Sequence, residues 1–199
     1  MGTEAVAFLE AFVPEHTDIF SPSFSYARCT RMALLHRWRG QVKRAMEIGV
    51  GKGVYSQYIL SVLEPEHLVL VDSWDTHDPN YRNARRQDAS YAFTLTRFAK
   101  EIKEGRVTVY KGESEAVVPT LPESYFDYAF VDGDHRTPSV LTDLELCYRV
   151  IKPGGIISGH DFSRTFGVPK AVAEFCRCNA WKVSCLTPGP PSTFVLSKS

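Results

Sequence analysis

Residues 43–53 read KRAMEIGVGKG, and this stretch decides how the rest of the chain is interpreted. Residues 45–48 form a short apolar run typical of a buried strand, and residues 53–63 have the apolar spacing of a helix. Between them stand Gly49, Gly51 and Gly53, which allow a positive φ and a close approach of the backbone to a ligand. The GxGxG spacing differs from the dinucleotide fingerprint GxGxxG. The stretch therefore predicts a strand, a glycine loop and a helix, with a plain tight turn as the alternative interpretation of the loop.

Short apolar runs alternate with helical patterns along the remaining chain. Further strands are predicted at residues 67–71, 107–110, 128–131 and 155–158, with helices between them, and two last strands at 180–186 and 193–196 form a hairpin. This alternation indicates an α/β fold, namely a doubly wound, Rossmann-like, mainly parallel seven-stranded sheet with a C-terminal antiparallel hairpin. Helices are also predicted at residues 4–12 and 25–38.

Length, charge and hydropathy narrow the class of protein. A chain of 199 residues suits a single domain covering residues 1–199. Lys plus Arg and Asp plus Glu are both 23, so no net charge favours nucleic acid or an anionic membrane surface. No apolar run approaches the roughly 20 residues that span a bilayer. The N-terminal residues carry no basic region of the kind that begins a secretory signal, so we expect a cytoplasmic location.

Ionisable residues follow most of the predicted strands. They are Glu47, Asp72, Glu113, Asp132, His160 and Asp161. Because ligands of open α/β sheets bind outside the carboxyl ends of the strands, we expect these side chains at the binding crevice.

Five ordered segments together resemble class I S-adenosylmethionine (SAM)-dependent methyltransferases: EIGVGKG, VLVDSWD, KGESEAV, YFDYAFVDGDH and VIKPGGIISGHDF. The resemblance covers roughly residues 43–178. It implies SAM as the cofactor and a role for each matching residue. Glu47 would lie near the methionine amino group, Asp72 and Ser73 would bind at the ribose, and Glu113 and Ser114 would flank the adenine. The loop residues Gly49, Gly51 and Gly53 would line the cofactor, and Trp74 would either contact the adenosine or serve in packing.

The segments VDGDH and GGIISGHDF resemble a subgroup of small-molecule O-methyltransferases, many of which hold magnesium. Neighbouring parallel strand ends lie about 5 Å apart, so Asp132, His160 and Asp161 are the expected metal ligands. An imidazole at position 160 departs from the usual oxygen ligand of that subgroup and suits manganese, iron or zinc better than magnesium, so the identity of the metal stays open, with Mg²⁺ or Mn²⁺ as the expectation. Asp132 and His135 are the expected catalytic residues. His135, with an ordinary pKa of about 6.5, would be the general base.

The expected function is methyl transfer from SAM to a hydroxyl oxygen of a small molecule, without a nucleic acid or membrane partner; self-association stays open. A SAM-dependent enzyme that methylates nitrogen or a protein is a competing interpretation, although the place after the fourth strand lacks the Asn/Asp-Pro-Pro-Tyr/Phe tetrapeptide of many N-methyltransferases. Two further interpretations are an NAD-dependent dehydrogenase and a non-catalytic SAM-binding scaffold. Residues 1–40 are expected to form a helical segment over the active site. The polar residues 75–89, with Arg85 and Arg86, either contact the acceptor or form a solvated loop, and the sequence leaves both open.

Overall fold

The computed structural model describes residues 3–27, 30–74, 84–187 and 192–198. Within these residues eight strands form one sheet: β1 (Phe20–Tyr26), β2 (Arg44–Ile48), β3 (His67–Asp72), β4 (Val107–Lys111), β5 (Phe126–Val131), β6 (Ile151–Phe162), β7 (Trp181–Leu186) and β8 (Ser192–Lys198). The α-helices are α1 (Thr3–Glu15), α2 (Arg31–Leu34), α3 (Val54–Tyr58), α4 (Ala84–Arg97), α5 (Ala99–Lys103), α6 (Ser114–Val117), α7 (Thr137–Val150) and α8 (Val168–Asn179). A π-helical turn, Ile59–Leu63, extends α3.

The sheet has the order β1-β7-β8-β6-β5-β2-β3-β4 and is mainly parallel. Only β8 runs antiparallel to its two neighbours, β6 and β7. The predicted α/β fold class, with a mainly parallel Rossmann-like sheet and C-terminal antiparallel strands, is thus confirmed. Strands β2 and β5 are buried along nearly their whole length, which explains why their sequences are mostly apolar instead of alternating.

The sheet has one strand more than the predicted seven, and the extra strand is β1. The sequence pattern predicts a helix over residues 25–38, but Phe20–Tyr26 pairs in parallel with β7 at the edge of the sheet. Within the span 25–38, helix formation begins only after Thr30, whose hydroxyl accepts from the Ala33 N–H and caps the single turn α2. The N-terminal 40 residues are consequently not a wholly helical segment.

Two other boundaries differ from the expectation. Helix α1 extends through Glu15 and contains Pro14 in its last turn, where the predicted helix stops before the proline. Helix α4 begins at Ala84 instead of Ser90, so the end of the predicted polar loop is helical. The first part of that loop, residues 75–83, lies outside the described residues, as do the side chains of Arg85 and Arg86.

The two faces of the sheet are covered by separate groups of helices. Phe12 of α1, Leu144 of α7 and Phe175 of α8 belong to the core on one face. Tyr55 of α3 and Phe98, beside α5, belong to the core on the other face. No helix in the described parts of the chain is long and apolar enough to cross a membrane.

The direction in which successive strands are added to the sheet reverses between β2 and β5. From β2 the connections run outward to β3 and β4, whereas β5 continues to β6 on the opposite side. In doubly wound sheets this switch point, at the carboxyl ends of the strands, opens the crevice that binds ligands. Glu47 and Asp132 stand at the ends of these two adjacent strands, which places the candidate site.

Candidate functional site

The glycine loop after β2 touches the loop after β5 directly. Gly49 has φ 83°, and a Cβ added there would lie 2.3 Å from the backbone carbonyl of Asp132. The Gly49 N–H donates to the Val71 carbonyl of β3 at 2.9 Å, and the Asp132 N–H donates to the Ile48 carbonyl at 2.8 Å. Glycine is required at position 49 because the two loops leave no space for a side chain.

Asp72 holds the glycine loop in shape. Its Oδ2 accepts from the backbone N–H groups of Val50 and Gly51, each at 2.8 Å, and its Oδ1 accepts from the Trp74 N–H at 2.7 Å. Both carboxylate oxygens are therefore engaged with the backbone. Each oxygen has further lone pairs, so ribose binding by Asp72 and the adjoining Ser73 stays a prediction.

Trp74 and Thr94 both donate hydrogen bonds to the glycine loop. The Trp74 indole N–H donates to the Gly51 carbonyl at 2.8 Å, and the Thr94 hydroxyl donates to the same oxygen at 3.0 Å. Trp74 is almost fully buried, and its ring lies 4.9 Å from that of Tyr91. In this structure Trp74 serves in packing and in holding the loop. Phe98 packs against Gly53 on the same loop, where an added Cβ would lie 2.6 Å from the Phe98 ring.

Glu47 is buried at the end of β2, with 1% of its surface exposed. Its Oε2 accepts from the Ser56 hydroxyl at 2.5 Å. Burial raises the pKa of Glu47 well above its ordinary value, and the nearby charges of Asp132 and Asp72 add to this effect. A cation that reached this carboxyl group would be strongly attracted to its ionised form.

The predicted adenine-flanking residues stand at the start of α6. Glu113 is exposed, whereas the Ser114 hydroxyl donates to Asp143 Oδ1 at 2.5 Å. Asp143 lies on the buried face of α7 together with Leu144 and Cys147, and burial raises its pKa to about 6. A Cβ added to Gly133 would lie 3.3 Å from Asp143, so this carboxyl group links Ser114 to the loop after β5. Sequence reasoning missed Asp143, although an acidic residue on the apolar face of a helix was a usable signal.

Four ionisable side chains converge where β5 and β6 end. His135 Nε2 lies 2.6 Å from Asp161 Oδ2, and His160 Nδ1 lies 3.2 Å from Asp161 Oδ1. His160 Nδ1 also lies 3.7 Å from Asp132 Oδ1. The structure thus brings together the predicted catalytic and metal-ligating residues, which we call the Asp–His cluster: Asp132, His135, His160 and Asp161.

The cluster shifts the proton affinities of its members. The hydrogen bond with Asp161 raises the pKa of His135 above its ordinary value, although partial burial opposes this. Burial acts to raise the pKa of Asp161, but hydrogen bonds with His135 and His160 outweigh it and hold that pKa below the ordinary value. Burial raises the pKa of Asp132, against the opposing effects of His160 and Arg31. The cluster therefore contains a histidine with enhanced basicity beside an ionised carboxylate.

An irregular backbone presents Asp161 to the cluster. Asp161 has φ 57°, a conformation that costs energy in residues other than glycine but that aspartate tolerates better than most. The pairing of β6 with β8 shifts register between Gly159 and Phe162, which is the signature of a β-bulge. Bulges of this kind re-aim side chains near functional sites.

Arg31 of α2 joins the cluster from the N-terminal segment. Its Nη1 donates to Asp132 Oδ2 at 2.9 Å, and its guanidinium lies 5.0 Å from the centre of the Tyr55 ring. Both ionic partners are largely buried, with 25% and 18% of the side chains exposed. No motif or spacing in the sequence identified Arg31, because its contact with Asp132 spans 101 positions.

The spacing of the donors in the cluster fits one divalent ion. Ligands bound at right angles, each about 2.1 Å from an ion, lie about 3 Å apart, close to the separations of His160 from Asp161 and Asp132. The group of residues whose donor atoms all lie within 4.8 Å of one another is Asp132, His135 and Asp161, so it contains His135 in place of the predicted ligand His160. Arg31 occupies only Oδ2 of Asp132, which leaves Oδ1 on the side of His160.

Comparisons with known proteins agree with this architecture. A family model described as a methyltransferase domain matches residues 46–162, more than half of the chain. No curated protein sequence matches. A Bacillus cereus O-methyltransferase in complex with SAH superposes with a TM-score of 0.64 at 13% identity, over 100% of this chain and 92% of that chain. The O-methyltransferase TomG of Streptomyces achromogenes, in complex with SAM, gives 0.63 at 18% identity, with the same coverage.

An rRNA methylase from Streptococcus thermophilus also superposes, with a TM-score of 0.61 at 12% identity over 84% of this chain and 93% of its own. At these identities the likeness shows a common fold and leaves the acceptor open. The family model rests on the segment that contains both the glycine loop and the Asp–His cluster. Because it spans more than half of the sequence, the chain belongs to this methyltransferase-domain family.

Proposed function

We propose that the chain transfers the methyl group of SAM to a hydroxyl oxygen of a small molecule in the cytoplasm, assisted by Mg²⁺ or Mn²⁺. The observation that carries this proposal is the contact between Gly49 of the glycine loop and Asp132 of the Asp–His cluster. A cofactor on the loop and an acceptor at the cluster would be immediate neighbours. Proximity of this kind is the main requirement of a direct group transfer.

The residues around the glycine loop suit the parts of SAM. Glu47 would receive the methionine ammonium group, Asp72 and Ser73 the ribose hydroxyls, and Glu113 and Ser114 the adenine. When bound, SAM supplies an electrophilic methyl group on its sulfonium sulfur. The glycines would let the backbone lie against it.

His135 is the proposed general base. Its Nε2 is held by Asp161, which leaves Nδ1 as the atom that accepts the hydroxyl proton of the acceptor. Asp161 orients the ring and stabilises its protonated form, as a carboxylate does for a neighbouring imidazolium. Asp132, beside the glycine loop, would keep the acceptor oxygen next to the methyl group.

Asp132, His160 and Asp161 would hold the divalent ion. Such an ion lowers the pKa of a hydroxyl group that it contacts and orients it. Arg31 already supplies one positive charge to Asp132, so part of the charge balance of the cluster is independent of a metal.

The N-terminal segment is the proposed cover of the site. Arg31 anchors it to Asp132 and lies over Tyr55, close to the loop that would hold the cofactor. A cover that excludes water protects a reactive sulfonium and strengthens local electrostatics. With a net charge of zero, nothing in the composition favours a nucleic acid acceptor over a small molecule.

A methyl-transfer assay tests the proposal. Purified protein is incubated with SAM carrying a labelled methyl group and a panel of small hydroxyl and amine compounds, in EDTA, Mg²⁺ or Mn²⁺. We expect label on oxygen, a rate that EDTA lowers and Mn²⁺ or Mg²⁺ restores, and a loss of about 10²-fold or more in His135→Gln. Label on nitrogen alone would contradict the proposed acceptor.

The DGDH segment, residues 132–135, offers a matched control variant for the substitution of Asp132. Asp134 belongs to the same DGDH segment as Asp132 but is ion-paired with Arg136, and it accepts from the Arg136 backbone N–H at 3.0 Å and from Ser139 at 2.8 Å. Asp134→Asn should therefore retain most of the rate, whereas Asp132→Asn should lose it. Equal rates in the two variants would remove Asp132 from the mechanism.

A further inference from the structure

Arg31 holds one oxygen of a carboxylate whose other oxygen faces the proposed metal ligands. Its Nη1 donates to Asp132 Oδ2 at 2.9 Å, whereas Asp132 Oδ1 lies 3.7 Å from His160 Nδ1. A divalent ion at the cluster would therefore share one carboxylate with a guanidinium. Because 25% of the Arg31 side chain and 18% of the Asp132 side chain are exposed, water and salt screen these charges less than they screen charges on the surface.

The charge of the Asp–His cluster depends on this arginine. Asp132 and Asp161 supply the carboxylates, and a histidine that binds a metal does so in its neutral form. The guanidinium of Arg31 stays protonated in proteins, so it neutralises one of the two carboxylates. A divalent ion would then meet one net negative charge instead of two, and it would be repelled by a neighbouring cation.

The backbone around Asp132 keeps this residue in place without help from Arg31. The Asp132 N–H donates to the Ile48 carbonyl at 2.8 Å. Gly49 packs against the Asp132 carbonyl so closely that an added Cβ would lie 2.3 Å from it. Removal of the arginine therefore takes a positive charge away from the cluster and leaves Asp132 at the end of β5.

Arg31 itself is fixed by the packing of its own segment. Leu34 and Leu35 are buried in two different apolar clusters, and Thr30 caps the turn that begins with Arg31. The guanidinium lies 5.0 Å from the centre of the Tyr55 ring. A substitution at position 31 removes neither the leucine contacts nor the cap, so we expect the variants to fold.

We propose that Arg31 is a built-in competitor of the divalent ion, which neutralises Asp132 in the metal-free protein and lowers the affinity of the Asp–His cluster for Mg²⁺ or Mn²⁺. This inference rests on the proposed function, because it requires a metal at the cluster. Arg31 acts through Asp132, and its charge is what matters. The cluster would then bind its metal weakly and reversibly.

Calorimetric titration of the metal-stripped protein with Mn²⁺ tests the inference. Arg31→Gln retains an N–H donor for Asp132 but no charge, and Arg31→Met retains neither. We expect both variants to bind Mn²⁺ about tenfold more tightly than the natural protein, or better, because a nearby positive charge is gone. Arg31→Lys restores the charge and should return the affinity to within about threefold of the natural value.

A control variant and a second readout accompany the titration. Arg37→Gln removes an arginine of the same segment that donates to Cys185 instead of the cluster, and it should leave the Mn²⁺ affinity unchanged. Thermal unfolding is measured on the same samples and shows that each variant is folded. Mn²⁺ should raise the Tm of Arg31→Gln more than that of the natural protein, since a tighter ligand stabilises the folded state more.

The outcomes separate this inference from the proposed function. Equal Mn²⁺ affinity in the natural protein and Arg31→Gln would overturn the inference, and so would weaker binding in Arg31→Met, which would mean that the arginine orients Asp132 for the metal. If methyl transfer on the same samples still depends on Mn²⁺, the proposed function stands. Absence of Mn²⁺ binding in all of these proteins would overturn both the inference and the proposed metal assistance.

Discussion

His135 contacts both the carboxylate of Asp161 and the ring of Phe166. This arrangement gives one residue two contacts with different consequences. The carboxylate favours the protonated imidazole, and the ring packs against the histidine. The proton affinity of His135 is thus set mainly by one neighbour, which makes it testable.

The pKa of His135 should exceed the ordinary value of about 6.5 because of Asp161. The imidazolium then persists to higher pH than in a free histidine, and the neutral base forms only as the pH rises through the raised pKa. NMR titration of labelled histidine in the metal-free protein measures this value, with His135→Gln to assign the signal. In Asp161→Asn the His135 pKa should fall; an unchanged value would show that the carboxylate does not control this residue.

At the residue scale, the sequence predicted the meeting of Asp132, His160 and Asp161 from one rule, that parallel strands end at a common edge. The structure brings them together, while their roles in catalysis and metal binding stay predictions. Arg31 and Phe166 could not be predicted in the same way. Each reaches the site through the packing of distant segments, which leaves no periodic or motif signal in the sequence.

At the scale of elements, the meeting of two loops explains why Gly49 differs from other glycines with a positive φ. Gly49 and Gly105 have φ values of 83° and 74°. A Cβ at Gly49 would overlap the Asp132 backbone, whereas a Cβ at Gly105 has nothing within 4 Å. Conformational strain is thus common to both positions, and the steric clash belongs to Gly49 alone.

Gly105→Ala should lower the free energy of unfolding by about 1 kcal/mol through backbone strain alone. Gly49→Ala should cost about 3 kcal/mol, because it also forces the two loops apart, and should abolish SAM binding. Urea denaturation and calorimetry measure the two effects. Equal losses of stability in the two variants would mean that the loops are not in contact.

The central strands were predictable because β2, β3 and β5 are apolar runs of the right length. Strand β1 was not, since FSPSFSY contains Pro22 and three serines and gains its partner only when β7, from the other end of the chain, lies beside it. Its position at the sheet edge tolerates a proline that a central strand would exclude. The bulge in β6 was similarly invisible, because it depends on pairing with β8.

At the scale of the whole molecule, Asp127 joins three strands at the edge of the sheet where β2 and β5 begin, opposite the edge that carries the candidate site. It stands in β5, and its Oδ2 accepts from the backbone N–H groups of Lys43 and Arg44 at the start of β2, at 2.9 and 2.8 Å. Its Oδ1 accepts from Lys152 of β6 at 2.5 Å. Partial burial acts to raise the pKa of Asp127, but the hydrogen bonds from Lys152 and the two backbone groups outweigh it and lower that pKa.

Asp127→Ala should lower the free energy of unfolding by about 2 kcal/mol at pH 7, since it removes hydrogen bonds to an ionised carboxylate. A lowered pKa in the folded state means that the ionised form contributes stability above the unfolded value of about 3.9, and that this contribution is lost as the pH falls through the folded value. The difference between the variant and the natural protein should therefore shrink at low pH. Denaturation at several pH values checks this.

Glu123→Ala is the control for that experiment. Glu123 is 72% exposed and bonds to Arg149 at 3.2 Å, so its removal should change stability by less than about 0.5 kcal/mol at any pH. A loss at Asp127 as small as that at Glu123, or one that does not vary with pH, would contradict the account of how the sheet is joined.

We propose that SAM binds on the glycine loop with its ammonium group at Glu47, and calorimetric titration with SAM measures this binding. We expect saturable binding by the natural protein and an affinity at least tenfold weaker in Glu47→Gln, because the amide cannot supply the negative charge. Glu66→Gln, at a 65% exposed position paired with Lys43, should bind like the natural protein. No SAM binding, or equal affinity in Glu47→Gln and Glu66→Gln, would contradict the account.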